Sequence, residues 1–482
     1  MTNTAVQRLL TVLGASAAPL TRIAPSVAAP FPVRTWRAPE VVWLNRRWLA
    51  EKGVLDGAED EGALKIWLAD RYAVTVMGGV EPETCFSPAP ARVMWADRYG
   101  DTWGSSHGGS GRCGMLHDGL NAKGVGRTPL VAPDVDWYHS HGFMWLEEAI
   151  REAICSEVVD QTFPFGATPT LAVIDTGDRI HWGDGNLGER RAVLVRPNAF
   201  RLGHLLRSVF FGGGGQGSPQ LVDEARVRAL VAHLDGGTPD GLSGLLVLSA
   251  RHLGTQIGFA AASRLWPGPV HASNLTLSGA ILDFGSFRSL PDWSDARATE
   301  KEPSSRQDME QLRLALSAAA RAATKRGVVV RPEDLHAPAS LGFEAGFERY
   351  FRDRLDPKGL SNRPVWSDLM TALRRAYEGF RSALAHDLSD QNGPVAALGL
   401  SPNADLDKRF SVLAASLGDT DARHLIRLGQ RLQSPALLVR ESLLAETQAL
   451  LETQPNKAIG AFIDDRVRTA LPLPDLTFSP AV

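Results

Sequence analysis

The residues best suited to chemistry are an ordered series of cations, carboxylates and glycines between positions 107 and 285. Asp283 closes a short apolar run, "LTLSGAILDFGSF" (275–287), just before Phe284-Gly285. A carboxylate there suits a hard cation that bridges nucleotide phosphates, and Asn274, nine residues upstream, offers an amide oxygen to the same ion. Upstream, "HGGSGRC" (107–113) places Gly109 and Gly111 before Arg112. Glycines let a backbone approach a phosphate closely, and a guanidinium adds a forked donor. Lys123 follows in "NAKGVGRTP" and Glu152 in "AIREAICSE". At about 100° per residue Glu152 shares a helix face with Trp145, Ala149 and Ser156, where a carboxylate is costly to bury unless paired. Arg196 and Arg201, in "LVRPNAFRLG", are a second pair of candidate phosphate ligands. Each feature has a plain alternative: a Gly-rich surface turn, a rim glutamate, solvated arginines, or an Asp capping a strand end. Only the set, in order, argues for an anion-and-metal site.

The elements that must position these groups follow from periodicity and turn signals. Residues 38 to 75 are expected to be helical, and 1–37, with Pro19, Pro25, Pro30 and Pro32, a flexible tail. "RCGMLHDGLNAKG" reads as a β-hairpin turning at Asp118-Gly119 and carrying Lys123 on its return strand. Residues 143–160 predict a helix, 170–177 and 191–197 two strands, and 219–235 and 240–256 further helices. The run before Asp283 predicts a strand. Residues 290–308 are charged, proline-bearing and aperiodic, which marks a linker, and 309–482 alternate helical text with Gly/Pro breaks. The expected division is therefore a tail (1–37), a small lobe (38–205), a large lobe (206–289), a linker (290–308) and a helical C-terminal region (309–482). The fold class is α+β. Its order of Gly-rich hairpin, helix, strand pair, helices and metal-binding Asp is that of a protein-kinase-like two-lobed fold, with an antiparallel small-lobe sheet and a mostly helical large lobe.

Composition excludes several function classes. The chain has 482 residues, 44% hydrophobic and 22% charged, with a formal net charge of −3. No Lys/Arg-rich run supplies a footprint for nucleic acid, and no apolar stretch approaches the ~18 residues of a membrane span. Three cysteines form no paired framework, which makes a reducing compartment, the cytoplasm, the expectation. The acid-free stretch before Glu40, with Arg8, Arg22, Arg34 and Arg37, leaves organelle targeting as the alternative.

Taken together, the motifs resemble the selenoprotein O family, kinase-fold protein adenylyltransferases that bind ATP inverted relative to ordinary kinases and transfer AMP. Gly109-Ser110-Gly111-Arg112 matches the family's Gly-Asp-Gly-Arg turn, "KGVGRTP" (123–129) its Lys-Gly-Ala-Gly-Pro-Thr-Pro, and "IREAICSE" (150–157) its Ile-Arg-Glu-x-x-x-Ser-Glu helix. Arg196 and Arg201 correspond to its phosphate arginines, with two fewer residues between them than is usual. Asn274 and Asp283 match its metal ligands at the family spacing, and "VVWLNRRWLAE" is similar to its N-terminal helix. The resemblance covers roughly residues 40 to 290. It implies ATP and Mg²⁺ (or Mn²⁺) as cofactors and a Ser, Thr or Tyr hydroxyl of a protein or peptide as acceptor. It also implies that Lys123 and Glu152 act in catalysis, and that Gly142, in "HSHGF", contacts nucleotide.

Three positions depart from that pattern. Ser273, in "PGPVHASN", stands where the family has the Asp proposed as the base; a serine does not take up a proton near neutral pH, and His271 is the possible substitute. His141 precedes Gly142 where the family has Asp, and no cysteine lies beyond Cys155, so the family's C-terminal redox device is absent. The alternative function is accordingly a nucleotide-binding pseudokinase acting as a scaffold. Ordinary kinase activity ranks below both, since no His-Arg-Asp loop precedes Asn274. A metal site built on His139 and His141 with Cys113, Cys155 or His117 lacks a recognised spacing, and "GGGGQGS" (212–218) lacks the Lys-Ser/Thr ending of a P-loop.

Overall fold

The computed structural model describes residues 4–16, 20–102, 107–133, 135, 140–182, 185–208, 219–290, 296–297, 303–355, isolated positions between 366 and 377, and 440–471. Its centre is an eight-stranded antiparallel sheet. The strands are β1 (Ala28–Thr35), β2 (Glu40–Leu44), β3 (Val74–Val76), β4 (Arg92–Asp97), β5 (Cys113–Met115), β6 (Leu120–Lys123), β7 (Ala172–His181) and β8 (Leu187–Pro197). They lie in the order β2-β7-β8-β6-β5-β4-β1-β3.

Strand alternation divides the sheet's two faces between two cores. Val193 and Val195 of β8 and Ala172 and Ile174 of β7 point into one core, which includes Leu9, Leu64 and Leu68. Those residues belong to α1 (Thr4–Ser16) and α3 (Ala58–Tyr72); α2 (Arg46–Glu51) lies between them in sequence. Ala192, Leu194 and Val173 point the other way, onto α4 (Leu146–Thr162), in a larger core shared with the later helices.

The expected hairpin is present: β5 and β6 pair from Cys113↔Lys123 to Met115↔Asn121. The helix at 143–160, the two strands after it and the two later helices also form, the last pair as α5 (Pro219–Gly236) and α6 (Gly241–Ser263).

Three expectations are corrected. Residues 1–37 are not a flexible tail over their described part. Ala5, Val6, Leu9 and Leu13 of α1 are buried, and β1 is an inner strand of the sheet. Pro30 and Pro32 are tolerated because β3 pairs only with residues 33–35, so the far side of the proline-bearing half needs no N–H donors. Secondly, residues 40–44 are strand rather than helix. Val41-Val42-Trp43-Leu44 is buried on both faces, and such a short apolar run has no periodicity to separate the two forms. Thirdly, the chain before Asp283 is not a strand but a tight reversal. Leu275 bridges Ile281 antiparallel, Gly279 adopts φ +97°, and Asp283 itself takes φ +70°.

Helices α7 (Asp308–Thr324) and α8 (Pro332–Leu355) pack into the same core as α6 rather than standing apart. Between α6 and α8 the backbones nearly touch: a Cβ added at Gly254 or Gly258 would lie 2.0 Å from the carbonyl oxygen of Ala339 or Phe343. Helices α9 (Arg440–Thr453) and α10 (Lys457–Ala470) return to the sheet, where Trp43 Nε1 donates to Asp464 at 2.7 Å. Among the described residues no helix is long and apolar enough to cross a membrane. The glycine loop 212–218, His139 and residues 378–439 of the C-terminal region lie outside the described residues.

Candidate functional site

Register explains how the site is assembled. In the β6–β8 ladder Lys123 lies opposite Leu194 and Asn121 opposite Arg196, so all four side chains project from one face. That face is covered by α4, because Leu194 packs in the α4 core. Lys123 and Arg196 therefore point at the helix that carries Glu152. Lys123 Nζ donates to Glu152 Oε2 at 2.5 Å, and Arg196 donates to Glu152 Oε1 at 3.2 Å. The Lys123 and Glu152 side chains are 1% and 2% exposed, so the pair is desolvated and each member depends on the other. Lys123 also reaches Asp283 Oδ1 at 3.0 Å, across 160 residues of sequence.

One turn earlier on α4, Glu148 accepts from Arg112 at 2.9 Å. Sequence reading missed Glu148, although its i−4 relation to Glu152 puts it on the same face. Burial opposes ionisation of Asp283, but Lys123, Arg112 and Arg196 outweigh it and hold the carboxyl far below its ordinary range. Burial likewise opposes the charge on Arg112, while Glu148, Asp283 and Glu152 raise its pKa above the ordinary value. Arg201 also feels Asp283, and its guanidinium lies 4.6 Å over the Tyr99 ring. Four cations thus converge with Glu148, Glu152 and Asp283.

Asn274 and Asp283 are brought near each other by the tight reversal: Leu282 N–H donates to the Asn274 carbonyl at 3.3 Å, and both residues line one small cavity. An amide oxygen and an ionised carboxylate form an all-oxygen donor set that fits Mg²⁺ or Mn²⁺.

The turns that hold the cations are locked from behind. Gly109 takes φ +139° and presses on β4, where a Cβ would meet the Asp97 carbonyl oxygen at 2.2 Å. Ser110 is buried and donates to the Asp97 carboxylate, while the Gly111 carbonyl accepts from Thr128 N–H at 3.0 Å. Gly142 is needed for packing, since at φ +73° its missing Cβ leaves room for the Gly126 backbone. Asp97 also meets His204 Nε2 at 3.2 Å, and His204 Nδ1 accepts the Arg201 backbone N–H at 2.8 Å. That acceptor role puts the proton on Nε2 and makes His204 a neutral donor to Asp97. Arg226 of α5 donates to the carbonyls of Arg98, His204 and Leu206, tying the segment after β4 to the 202–206 turn behind the site.

Burial pushes the His204 pKa below its ordinary 6.5, against the pull of Asp97. The unfolded chain therefore takes up a proton at this residue that the folded chain refuses. The stabilisation is complete above about pH 6.5 and is lost as pH falls below it. The melting temperature is expected to drop by several degrees from about pH 7.5 to about pH 5.5, and His204→Asn is expected to flatten that slope. Melting curves across that range check this.

The loop at 271–274 contacts a residue that sequence reading did not find. Ser273 Oγ donates to Asp101 Oδ2 at 2.5 Å, and His271 Nδ1 lies 3.9 Å from the same oxygen. The Asp101 side chain is 7% exposed, and its other oxygen accepts from Thr102 N–H at 2.7 Å. Hydrogen bonds hold the layer together: Gly100 N–H donates to Gly203 C=O, Gly203 N–H to Ala272 C=O, and the Arg201 guanidinium to Ser273 C=O at 2.8 Å. Nothing in the sequence signals Asp101, since it is brought to Ser273 from 172 residues away.

Among the described residues, which exclude His139, the other proposed metal grouping does not assemble. Cys113 and Cys155 are buried in β5 and α4, His117 packs 4.1 Å from the Trp95 ring, and His141 Nδ1 accepts from Phe143 N–H. The end of "IREAICSE" is structural: Glu157 accepts from Asn45 at 2.6 Å and from Arg47, which docks α2 against α4. No protein-family model matches this chain, and no curated protein matches it.

Proposed function

We propose that the protein is an ATP-dependent adenylyltransferase with a kinase-like two-lobed arrangement, transferring AMP to a Ser, Thr or Tyr hydroxyl of a protein or peptide. The observation that carries this reading is Lys123, buried between Glu152 and Asp283, with Arg112, Arg196 and Arg201 beside it. A lysine fixed by a buried carboxylate and touching a metal-type carboxylate suits a polyphosphate with its counter-cation. Without nucleotide, Asp283 is the counter-charge for these cations.

Arg112, Lys123, Arg196 and Arg201 bind and orient the phosphates, and Asn274 and Asp283 hold the divalent ion. That ion supplies charge neutralisation on the phosphate oxygens. The acceptor oxygen bonds to the α-phosphorus as the bond from that phosphorus to the bridging oxygen breaks, and pyrophosphate leaves. Asp101 takes the hydroxyl proton, relayed through Ser273 Oγ. It thereby supplies from the 97–102 segment the carboxylate that the 271–274 loop lacks. His271 Nδ1 lies 3.9 Å from the same Asp101 oxygen, beyond hydrogen-bond length, and so stands outside this relay.

Asp101→Asn is expected to lower the transfer rate about 10²-fold or more while leaving ATP affinity within about threefold, since a general base acts on rate rather than binding. Initial rates and equilibrium binding on the same preparation check it; equal losses in both would remove Asp101 from the chemistry.

The test of the reading is intact mass after incubation with ATP and Mg²⁺ or Mn²⁺, with Asp283→Asn as control. An added AMP mass, absent in the control, is the expected result. A phosphate mass would replace adenylyl transfer by ordinary kinase chemistry. No added mass, with ATP still raising the melting temperature, would make the protein a nucleotide-binding scaffold.

A further inference from the structure

A second constellation lies outside the site described above. Cys85, Asp178 and His181 each offer one ligand atom, and all three atoms lie within 4.8 Å of one another. Cys85 Sγ is 4.0 Å from His181 Nε2, which is 3.2 Å from Asp178 Oδ1. In a regular strand residues i and i+3 project to opposite faces. Here Gly177 takes φ +77° and the β7–β8 register shifts between Asp175 and Arg179 and again between Arg179 and His181. Those irregularities turn Asp178 and His181 to one side. Cys85 is brought to them by a separate segment, the short 3-10 turn Glu83–Cys85, whose Cys85 carbonyl accepts from Arg37 N–H at 2.9 Å.

We infer that Cys85, Asp178 and His181 form a zinc site with one position left for water. Zinc–sulfur and zinc–nitrogen bonds of about 2.3 and about 2.0 Å at tetrahedral angles require S···N near about 3.6 Å and N···O near about 3.3 Å. The observed separations differ from these by less than about half an ångström. Thiolate, imidazole and carboxylate together select a borderline-soft ion over Mg²⁺. The charges agree as well. Glu81 lies close enough to influence Cys85 and pairs with Arg191 at 2.6 Å. A thiolate, two carboxylates, one guanidinium and one divalent zinc therefore sum to neutrality. Binding releases the Cys85 proton to solvent and involves no electron transfer. The ion would clamp the 83–86 turn to the end of the β7–β8 hairpin. Arg179 lies six residues, roughly 20 Å of strand, from Val173 opposite the Lys123 rung, so this site is separate from the phosphate-binding one. The inference does not rest on the proposed transferase activity.

The test is metal content and cobalt spectroscopy on the full chain. Protein dialysed against zinc and then against metal-free buffer is expected to retain about one zinc per chain. Cobalt loading is expected to give a thiolate-to-cobalt charge-transfer band in the near ultraviolet. Both signals should vanish in Cys85→Ser and fall at least tenfold in His181→Ala. The oxygen-only Asn274/Asp283 pair cannot produce that band, so it does not confuse the readout. Wild-type protein that retains no zinc and shows no band would overturn the inference, as would zinc retained equally by Cys85→Ser.

Discussion

Lys123→Met is expected to destabilise the fold by about 3–5 kcal/mol and to abolish transfer, because it takes from buried Glu152 its closer partner and leaves Arg196 at 3.2 Å. Against a typical total stability of about 5–15 kcal/mol the loss is large, and it should be plain in a denaturant midpoint at unchanged slope. A second substitution sharpens the expectation. Adding Glu152→Gln removes the stranded charge, so the double variant should recover about 1–3 kcal/mol of the loss without recovering activity. A single-variant cost below about 1 kcal/mol would mean that the pair behaves as a solvated surface bridge, contrary to its 1% and 2% exposure.

Asp283→Asn should cost less stability than Lys123→Met, because the carboxylate is more exposed, and should fall mainly on chemistry. Asparagine tolerates the φ of +70° found at this position, and Lys123 keeps Glu152 as a partner. The melting temperature is expected to move by a few degrees at most, while transfer falls by about 10³-fold or more. The sign of the binding change is distinctive. Removing a negative charge from a phosphate site should strengthen ATP binding in the absence of divalent ion, whereas the gain from added Mg²⁺ should disappear. Binding measured with and without Mg²⁺ separates this from a general loss of the site. If metal dependence survives Asp283→Asn, the ion is held elsewhere.

The site was legible where chemistry depends on local order and opaque where it depends on the tertiary path. Lys123, Glu152 and Arg196 could be picked out because a hairpin return strand, a helix and a strand end each signal themselves within a few residues; Asp283 was marked by Asp-Phe-Gly although its strand was misread, and the structure brings all four together. Glu148 was available from helix spacing alone. Asp101 and Asp97 were not, because each acts through a partner more than 100 residues away. The same division runs through the fold. Hairpin β5–β6 was readable from Asp118-Gly119, but α1 and β1 read as a tail. Prolines and missing acidic residues are local signals, whereas the burial of Leu9 and Phe31 is conferred by packing that the segment does not encode alone. Residues 40–44 read as helix because a four-residue apolar run suits a buried helix and a buried strand equally.

The central claim is that the cluster around Lys123 and Asp283 is an ATP–metal site, and calorimetric titration of ATP tests it most directly. One ATP per chain, bound more tightly with Mg²⁺ or Mn²⁺ than with chelator, is the predicted result for the wild type, with that metal dependence absent in Asp283→Asn. A wild type that binds no ATP at millimolar concentration, with either ion present, would contradict the account.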